Sequence, residues 1–301
     1  MHIHHLNCGT FCPRGKLFIN GYGGALEAAK LVCHCQLVET REGLVLIDTG
    51  LGTQDIKDPD HSLPSSLWRA FNRPVLSYEE TAIAQVKAKG FKPEDVRHIV
   101  VTHLDFDHAG GLADFPWAKV HVFRRELEEA MSRPTYRDRK RYAPRQFAHN
   151  PQWCIYETQG EDWFGFKAVR NLDGVDPDIV MVPLEGHSAG HCGVAVNTEY
   201  DWILNCGDAV FSHGEIDGPD RCCPLGLRIY QNIFQYDRSM RMENQKRLRE
   251  LVHMHGEEIE VFCSHDPEMM TRFANRATER LPPSAYQAAA PGEARLPEMS
   301  F

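Results

Sequence analysis

The chain has 301 residues, 42% hydrophobic and 25% charged, a globular composition long enough to bury a sizeable core. Lys+Arg 33 against Asp+Glu 42 leaves a formal net charge of −9, which repels phosphate backbones and anionic lipid heads and argues against nucleic-acid and membrane partners. No apolar run reaches the roughly eighteen residues of a membrane span, and Met1-His2-Ile3-His4-His5-Leu6 lacks a signal-peptide pattern.

Several of the ten cysteines (Cys33, Cys35, Cys206, Cys263) sit in apolar runs, where a free thiol packs as a small hydrophobe; a reducing, cytoplasmic setting is expected. In chain order, Leu31 to Glu39 and Leu44 to Ile47 read as strands joined through Arg41-Glu42-Gly43, a hairpin. Thr81 to Lys89 places Ile83 and Val86 on a helical face that Gly90 ends. Val96 to Val101 and Lys119 to Phe123 read as strands, the second leading into a charged helix over Arg124 to Met131. Arg133 to Asn150 is aromatic and basic and reads as an irregular insertion or lid. Strands follow over Ile179 to Val182, Gly193 to Val196 and Trp202 to Asn205, then a long helix from Asp237 to His255. Ile259 to Phe262 is the last strand, and Asp266-Pro267 opens a final helix. Two strand-then-helix halves without a linker predict one α/β domain over residues 1–280; residues 281–301 have the composition of a loose tail.

The most informative stretch is Thr102-His103-Leu104-Asp105-Phe106-Asp107-His108-Ala109-Gly110-Gly111. Four metal-binding side chains fall within six residues just after a buried strand, and imidazole with carboxylate suits zinc, iron or manganese. Gly110-Gly111 permits close packing against such a site.

This pattern resembles the metallo-β-lactamase superfamily, with its His-x-His-x-Asp-His signature. Leu46-Ile47-Asp48-Thr49-Gly50, Glu185-Gly186-His187-Ser188-Ala189-Gly190-His191, Cys206-Gly207-Asp208 and Ser264-His265-Asp266 resemble its other motifs, in family order. The resemblance implies an αββα sandwich of two mixed sheets with helices outside. It also implies two divalent metal ions, zinc first. One would be held by His103, Asp105 and His187, the other by Asp107, His108 and His265, with Asp208 bridging and Asp48 supporting the loop from behind. His191 is expected to be structural, and His98, His121, His149, His213 and His253 match no motif.

Asp105 stands where the family has its second histidine. That makes the first site more anionic, opens it to iron or manganese, and lowers its Lewis acidity. Within the superfamily, Cys33 to Thr40 and the His-Leu-Asp-Phe-Asp-His-Ala-Gly-Gly loop resemble the acyl-homoserine lactonase branch. The expected activity is hydrolysis of a carboxylic ester or lactone of a small molecule by a metal-bound hydroxide, with Asp107 as proton carrier. A non-heme iron redox enzyme (a thiol oxygenase or flavodiiron-like protein) and a glyoxalase II type thioesterase are the alternatives. A homodimer is compatible with the sequence. The branch's tyrosine three residues after the bridging aspartate is Phe211 here. Candidate pocket walls are Phe211, the aromatic residues of Trp68 to Tyr78, and Tyr136, Tyr142 and Phe147. The basic run Arg137, Arg139, Lys140 and Arg141 reads as an attractor for an anionic substrate or, more simply, as a solvated face.

Overall fold

The computed structural model describes residues 1–168, 172–218 and 222–279, so the tail expected over 281–301 lies outside the described residues. Its strands are β1 (His2–Phe11), β2 (Leu31–Thr40), β3 (Gly43–Ile47), β4 (Pro74–Val75), β5 (Val96–Val100), β6 (Lys119–Phe123), β7 (Gln152–Tyr156), β8 (Glu161–Trp163), β9 (Phe166–Ala168), β10 (Ile179–Pro183), β11 (Cys192–Asn197), β12 (Trp202–Asn205) and β13 (Ile259–Phe262). Seven form one sheet in the order β4-β1-β2-β3-β5-β6-β7, and four form a second in the order β10-β11-β12-β13. Strands β8 and β9 make a separate small hairpin. Both large sheets are mixed: β2 and β3 are antiparallel, β3, β5, β6 and β7 run parallel, and β13 joins β12 in parallel.

Strand β3 shows why the apolar runs are continuous. Val45 and Ile47 face the core shared with Val180, Val182, Val194 and Leu204 of the second sheet. Leu44 and Leu46 face the opposite way, toward Val86 of the helix Ala82–Ala88 and toward Leu112 and Phe115. Side chains alternate across a strand, so a strand buried on both faces must be apolar at every position. Leu248 and Leu251 of the helix Arg238–His255 and Met269 and Phe273 of the helix Pro267–Glu279 close over the same core. The result is the expected sandwich of two sheets between helical layers.

The expected hairpin is β2–β3, and the long helix is capped by Asp237, whose side chain accepts from the Met240 N–H at 2.9 Å. Strand β1 carries no strand signal in the sequence reading because its residues His2, His4, His5 and Asn7 break any apolar alternation. The segment 133–150 differs from the expected irregular insertion. It carries a helix at Tyr136–Arg141, with Thr135 accepting from the Asp138 N–H at 3.2 Å, and a 3-10 turn at Pro144–Phe147. Phe147 and Tyr142 are buried with the helix-side core, while Tyr136 is 68% exposed. All ten cysteines are free thiols.

The turn after β3 and the loop after β5 lock together through glycine. Thr49 donates to the His108 carbonyl from both its N–H (2.7 Å) and its hydroxyl (2.8 Å), and Gly50 forms a bridge to Ala109. A Cβ at Gly110 would overlap the Asp55 carboxylate and the Phe106 carbonyl. Gly110→Ala should therefore destabilise the fold by about 1–3 kcal/mol, the usual range for overpacking, read as a lower midpoint in urea unfolding. An unchanged midpoint would mean that the two loops do not close this tightly.

Candidate metal centre

The motif residues sit where strands of both sheets end. His103, Asp105, Asp107 and His108 follow β5, His187 follows β10, Asp208 follows β12 and His265 follows β13. The two sheets bring them to one place, with the Asp208 carboxylate at the middle. Its Oδ2 faces His187 Nε2 at 3.5 Å and His103 Nε2 at 3.9 Å; its Oδ1 faces His108 Nε2 at 3.3 Å and His265 Nε2 at 3.2 Å. Asp105 Oδ2 lies 3.3 Å from His103 Nε2 and 3.1 Å from His187 Nε2, and Asp107 Oδ2 lies 3.7 Å from His265 Nε2.

These separations match the edges of a coordination polyhedron. Donors about 2.0–2.1 Å from one tetrahedral centre stand about 3.3–3.4 Å apart. His103 Nε2, His108 Nε2 and Asp208 Oδ1 are buried with no hydrogen-bond partner, a costly state unless something further binds them. Donor atoms lie within 4.8 Å of one another in three groups, His103, Asp105 and His187; His103, His108 and Asp208; and Cys33, Asp107 and His265, with Asp208 facing all four histidines. The chemistry of these donors fits divalent metal ions.

The far side of three of the four rings is already committed. His108 Nδ1 donates to Asp48 Oδ2 at 3.0 Å, and His265 Nδ1 donates to the Val32 carbonyl at 2.8 Å. Thr102 Oγ1 donates to Asp48 Oδ2 at 2.8 Å and accepts from His103 Nδ1 at 3.0 Å. With their Nδ1 protons engaged, these rings turn Nε2 lone pairs to the centre. Asp48, at a left-handed φ of 55, also accepts from the Thr102 N–H at 2.7 Å. His191 supports Asp208: its Nδ1 donates to the Leu184 carbonyl at 3.0 Å and its Nε2 accepts from the Asp208 N–H at 2.9 Å. Burial lowers its pKa to about 3, so it stays neutral and keeps both bonds. Asp208 is held well below the usual carboxylate range: burial would raise it, but the facing His265 and His108 outweigh that.

Three residues escaped the sequence reading. Arg141 is largely covered, with Nε and Nη2 on the two oxygens of Asp105, the second at 2.7 Å. Glu126 joins the loops: Oε1 accepts from the Leu104 N–H at 2.9 Å, and Oε2 from the Ser188 hydroxyl at 2.6 Å and the Gly190 N–H at 3.0 Å. Cys33 points its thiol at Asp107 and His265, its sulfur within 4.8 Å of their donor atoms. The basic run gave a signal for Arg141 but not its direction, and nothing in sequence spacing marks Glu126 or Cys33.

A cleft of about 240 Å³ opens from Asp107 and His265 between apolar walls that include Phe11, Trp68, Phe71, Phe211 and Tyr230. Phe211 stacks on the His265 ring at 5.1 Å and meets Tyr230 edge-on at 5.7 Å. The expected walls Tyr136 and Tyr142 are not part of it: Tyr136 faces solvent, and Tyr142 is buried with its hydroxyl donating to Glu126 at 3.3 Å. A residue that closes the Glu126 network cannot also line the cleft.

A sandwich of two mixed sheets with histidines and aspartates gathered at its strand ends defines a class. The chain belongs to the metallo-β-lactamase superfamily, whose family model matches residues 29–265. It is 42% identical over 267 residues, 89% of this chain and 81% of the relative, to a probable metallo-hydrolase of Mycobacterium tuberculosis. An N-acyl homoserine lactonase of Bacillus cereus is 27% identical over 235 residues, 78% of this chain and 81% of its own. Among solved structures, an N-acyl homoserine lactone hydrolase with N-hexanoyl-L-homoserine at its catalytic metal centre superposes with a TM-score of 0.65 at 23% identity, covering 90% of this chain and 95% of that one.

Glu126→Ala would strand the Leu104 and Gly190 N–H groups and the Ser188 hydroxyl. At about 1–3 kcal/mol for each buried orphan donor, the thermal midpoint should fall by ten degrees or more; a shift of only one or two degrees would mean that water replaces the carboxylate.

Proposed function

We infer that the chain is a metal-dependent hydrolase opening a carboxylic ester or lactone that bears an apolar group, through two divalent ions held by His103, Asp105, Asp107, His108, His187, Asp208 and His265. The observation that carries the reading is the Asp208 carboxylate between two donor sets, with an apolar cleft opening at Asp107 and His265. Ions bound there supply an acidified water as nucleophile and polarise the acyl oxygen. The choice of ester or lactone follows the lactonases among the relatives, and zinc follows a structural neighbour described as dizinc.

The chain's own residues handle substrate and proton. The apolar walls hold the acyl portion and exclude water. Asp107 stands at the floor of the cleft, largely buried, and burial raises its pKa above the ordinary aspartate value. A carboxylate so placed takes the proton of the attacking water on the oxygen not turned to His265 and returns it to the departing alkoxide. Phe211 has no proton to donate to the substrate carbonyl, and Tyr230, against it on the helix Leu225–Phe234, brings a phenol to the same cleft. We assign Tyr230 the hydrogen bond to that carbonyl.

The test is turnover of a panel of lactones, aryl esters and thioesters with apolar tails, before and after chelation. Chelator should abolish activity, and added zinc or manganese should restore it; solvent oxygen-18 should enter the acid product. Activity that survives metal removal, or label missing from the acid, would overturn the mechanism. Tyr230→Phe should lower kcat about ten- to a hundredfold on the best substrate with little change in KM, and an unchanged kcat would remove Tyr230 from the reaction.

A further inference from the structure

A second carboxylate in the His103 and His187 set is a physical problem, because it adds a negative charge to a buried site already carrying Asp208. The fold answers it with Arg141. The guanidinium grips Asp105 with Nε on Oδ1 and Nη2 on Oδ2, and both side chains are only 14% exposed. Its remaining nitrogen, Nη1, donates to the His187 carbonyl at 3.0 Å and to the Phe234 carbonyl at 3.2 Å. Arginine does not lose its proton in a protein, and its planar fork matches a carboxylate edge. A carboxylate has about four lone-pair directions. Arg141 occupies two, and Asp105 Oδ2 still points between His103 Nε2 and His187 Nε2.

The geometry points to Asp105 and Arg141 as one neutral ligand unit, in which Arg141 cancels the ligand's charge, fixes its orientation and so sets the metal preference of this site. The inference rests on the metal-centre reading above, but not on the substrate or the reaction. Two consequences follow. With the charge of Asp105 cancelled, the site presents an ion with two imidazoles, a neutral third donor and the single charge of Asp208, and keeps zinc competitive with harder ions. Replacing Asp105 by histidine would set an imidazole against a guanidinium that has lost its acceptor, the costly half of a broken buried pair. The histidine common at this position is therefore not a conservative exchange here unless residue 141 changes with it.

Arg141 is also a positioning residue for the cleft. Its bond to Phe234, with the Arg137 bond to Ile233, pins the end of the helix Leu225–Phe234, which carries Leu227 and Tyr230 into the cleft wall. One guanidinium thus ties a metal ligand, a neighbouring ligand loop and a substrate wall together.

The experiment compares wild type, Arg141→Met, Asp105→His and Asp105→His/Arg141→Met, each dialysed against equimolar zinc and manganese. Bound metal is counted by elemental analysis, and melting is measured on the metal-free proteins; no substrate is involved. Wild type should hold two ions, zinc in excess. Arg141→Met should shift the manganese-to-zinc ratio at least tenfold toward manganese. Asp105→His should lose about one ion per chain and melt lower even without metal, and the double variant should recover both. If Arg141→Met does not fold, Arg141→Gln, which keeps an N–H donor without the charge, carries the same expected shift. The inference is overturned if Asp105→His alone binds two ions as tightly as wild type, if the double variant holds no more metal than Asp105→His, or if loss of the Arg141 charge leaves the ratio unchanged. A wild type that binds no metal would overturn the metal-centre reading and this inference with it, whereas metal binding in the expected pattern without any hydrolysis would leave this inference standing.

Discussion

Three carboxylates and four imidazoles share one small buried volume, and the cost of burying them shapes everything around it. An unpaired buried charge costs several kcal/mol, and an unsatisfied ring nitrogen a good fraction of that. Most groups not aimed at the centre therefore have a partner: Asp48 for His108, Val32 for His265, Thr102 for His103, and Arg141 for Asp105. Of the four atoms of the centre left without partners, His103 Nε2, His108 Nε2 and Asp208 Oδ1 face inward, and His187 Nδ1 lies on the far side of its ring. Burial thus selects which atoms are available for chemistry.

The same constraint explains the placement of the two sheets. The donor residues of the loop after β5 belong to the first sheet, while His187, Asp208 and His265 belong to the second. A displacement of one sheet over the other by an ångström would pull the donor sets apart, so the close-packed core between Val45, Ile47, Val180 and Val194 is also the calibration of the centre. His265 reaches across this division to the Val32 carbonyl of β2 and ties the two ends directly.

Much of this was legible in the chain. The strands around the centre announce themselves as continuous apolar runs because they are buried on both faces, and the motif residues fall at their ends. The seven side chains singled out from those motifs do meet in space. Strand β1 was invisible, since histidines and an asparagine replace the usual alternation and its pairing with β2 supplies what local preference does not. The segment 133–150 misled in the other direction. Its aromatic and basic residues look like a loose rim, yet Tyr142 fills the core and hydrogen-bonds Glu126, and Arg141 turns inward to a carboxylate 36 positions earlier. Composition reports how polar a residue is and says nothing about a partner so distant in sequence. Tyr230 was missed for the same reason: the helix that carries it is amphipathic, with Leu227 and Gln231 buried and Ile229 and Ile233 exposed, and its ring lies between these faces, toward the cleft.

The Asp105–Arg141 pair has a consequence for how such a gene can change over time. A single base substitution alters one codon, and either codon altered alone leaves a charge in the interior without its opposite. Drift from an aspartate-bearing lineage to a histidine-bearing one must therefore cross an intermediate that folds less well, or change both codons together. On that reasoning, residue 141 should read arginine wherever residue 105 reads aspartate. A pairing of this kind would let two distant columns of a sequence comparison predict each other.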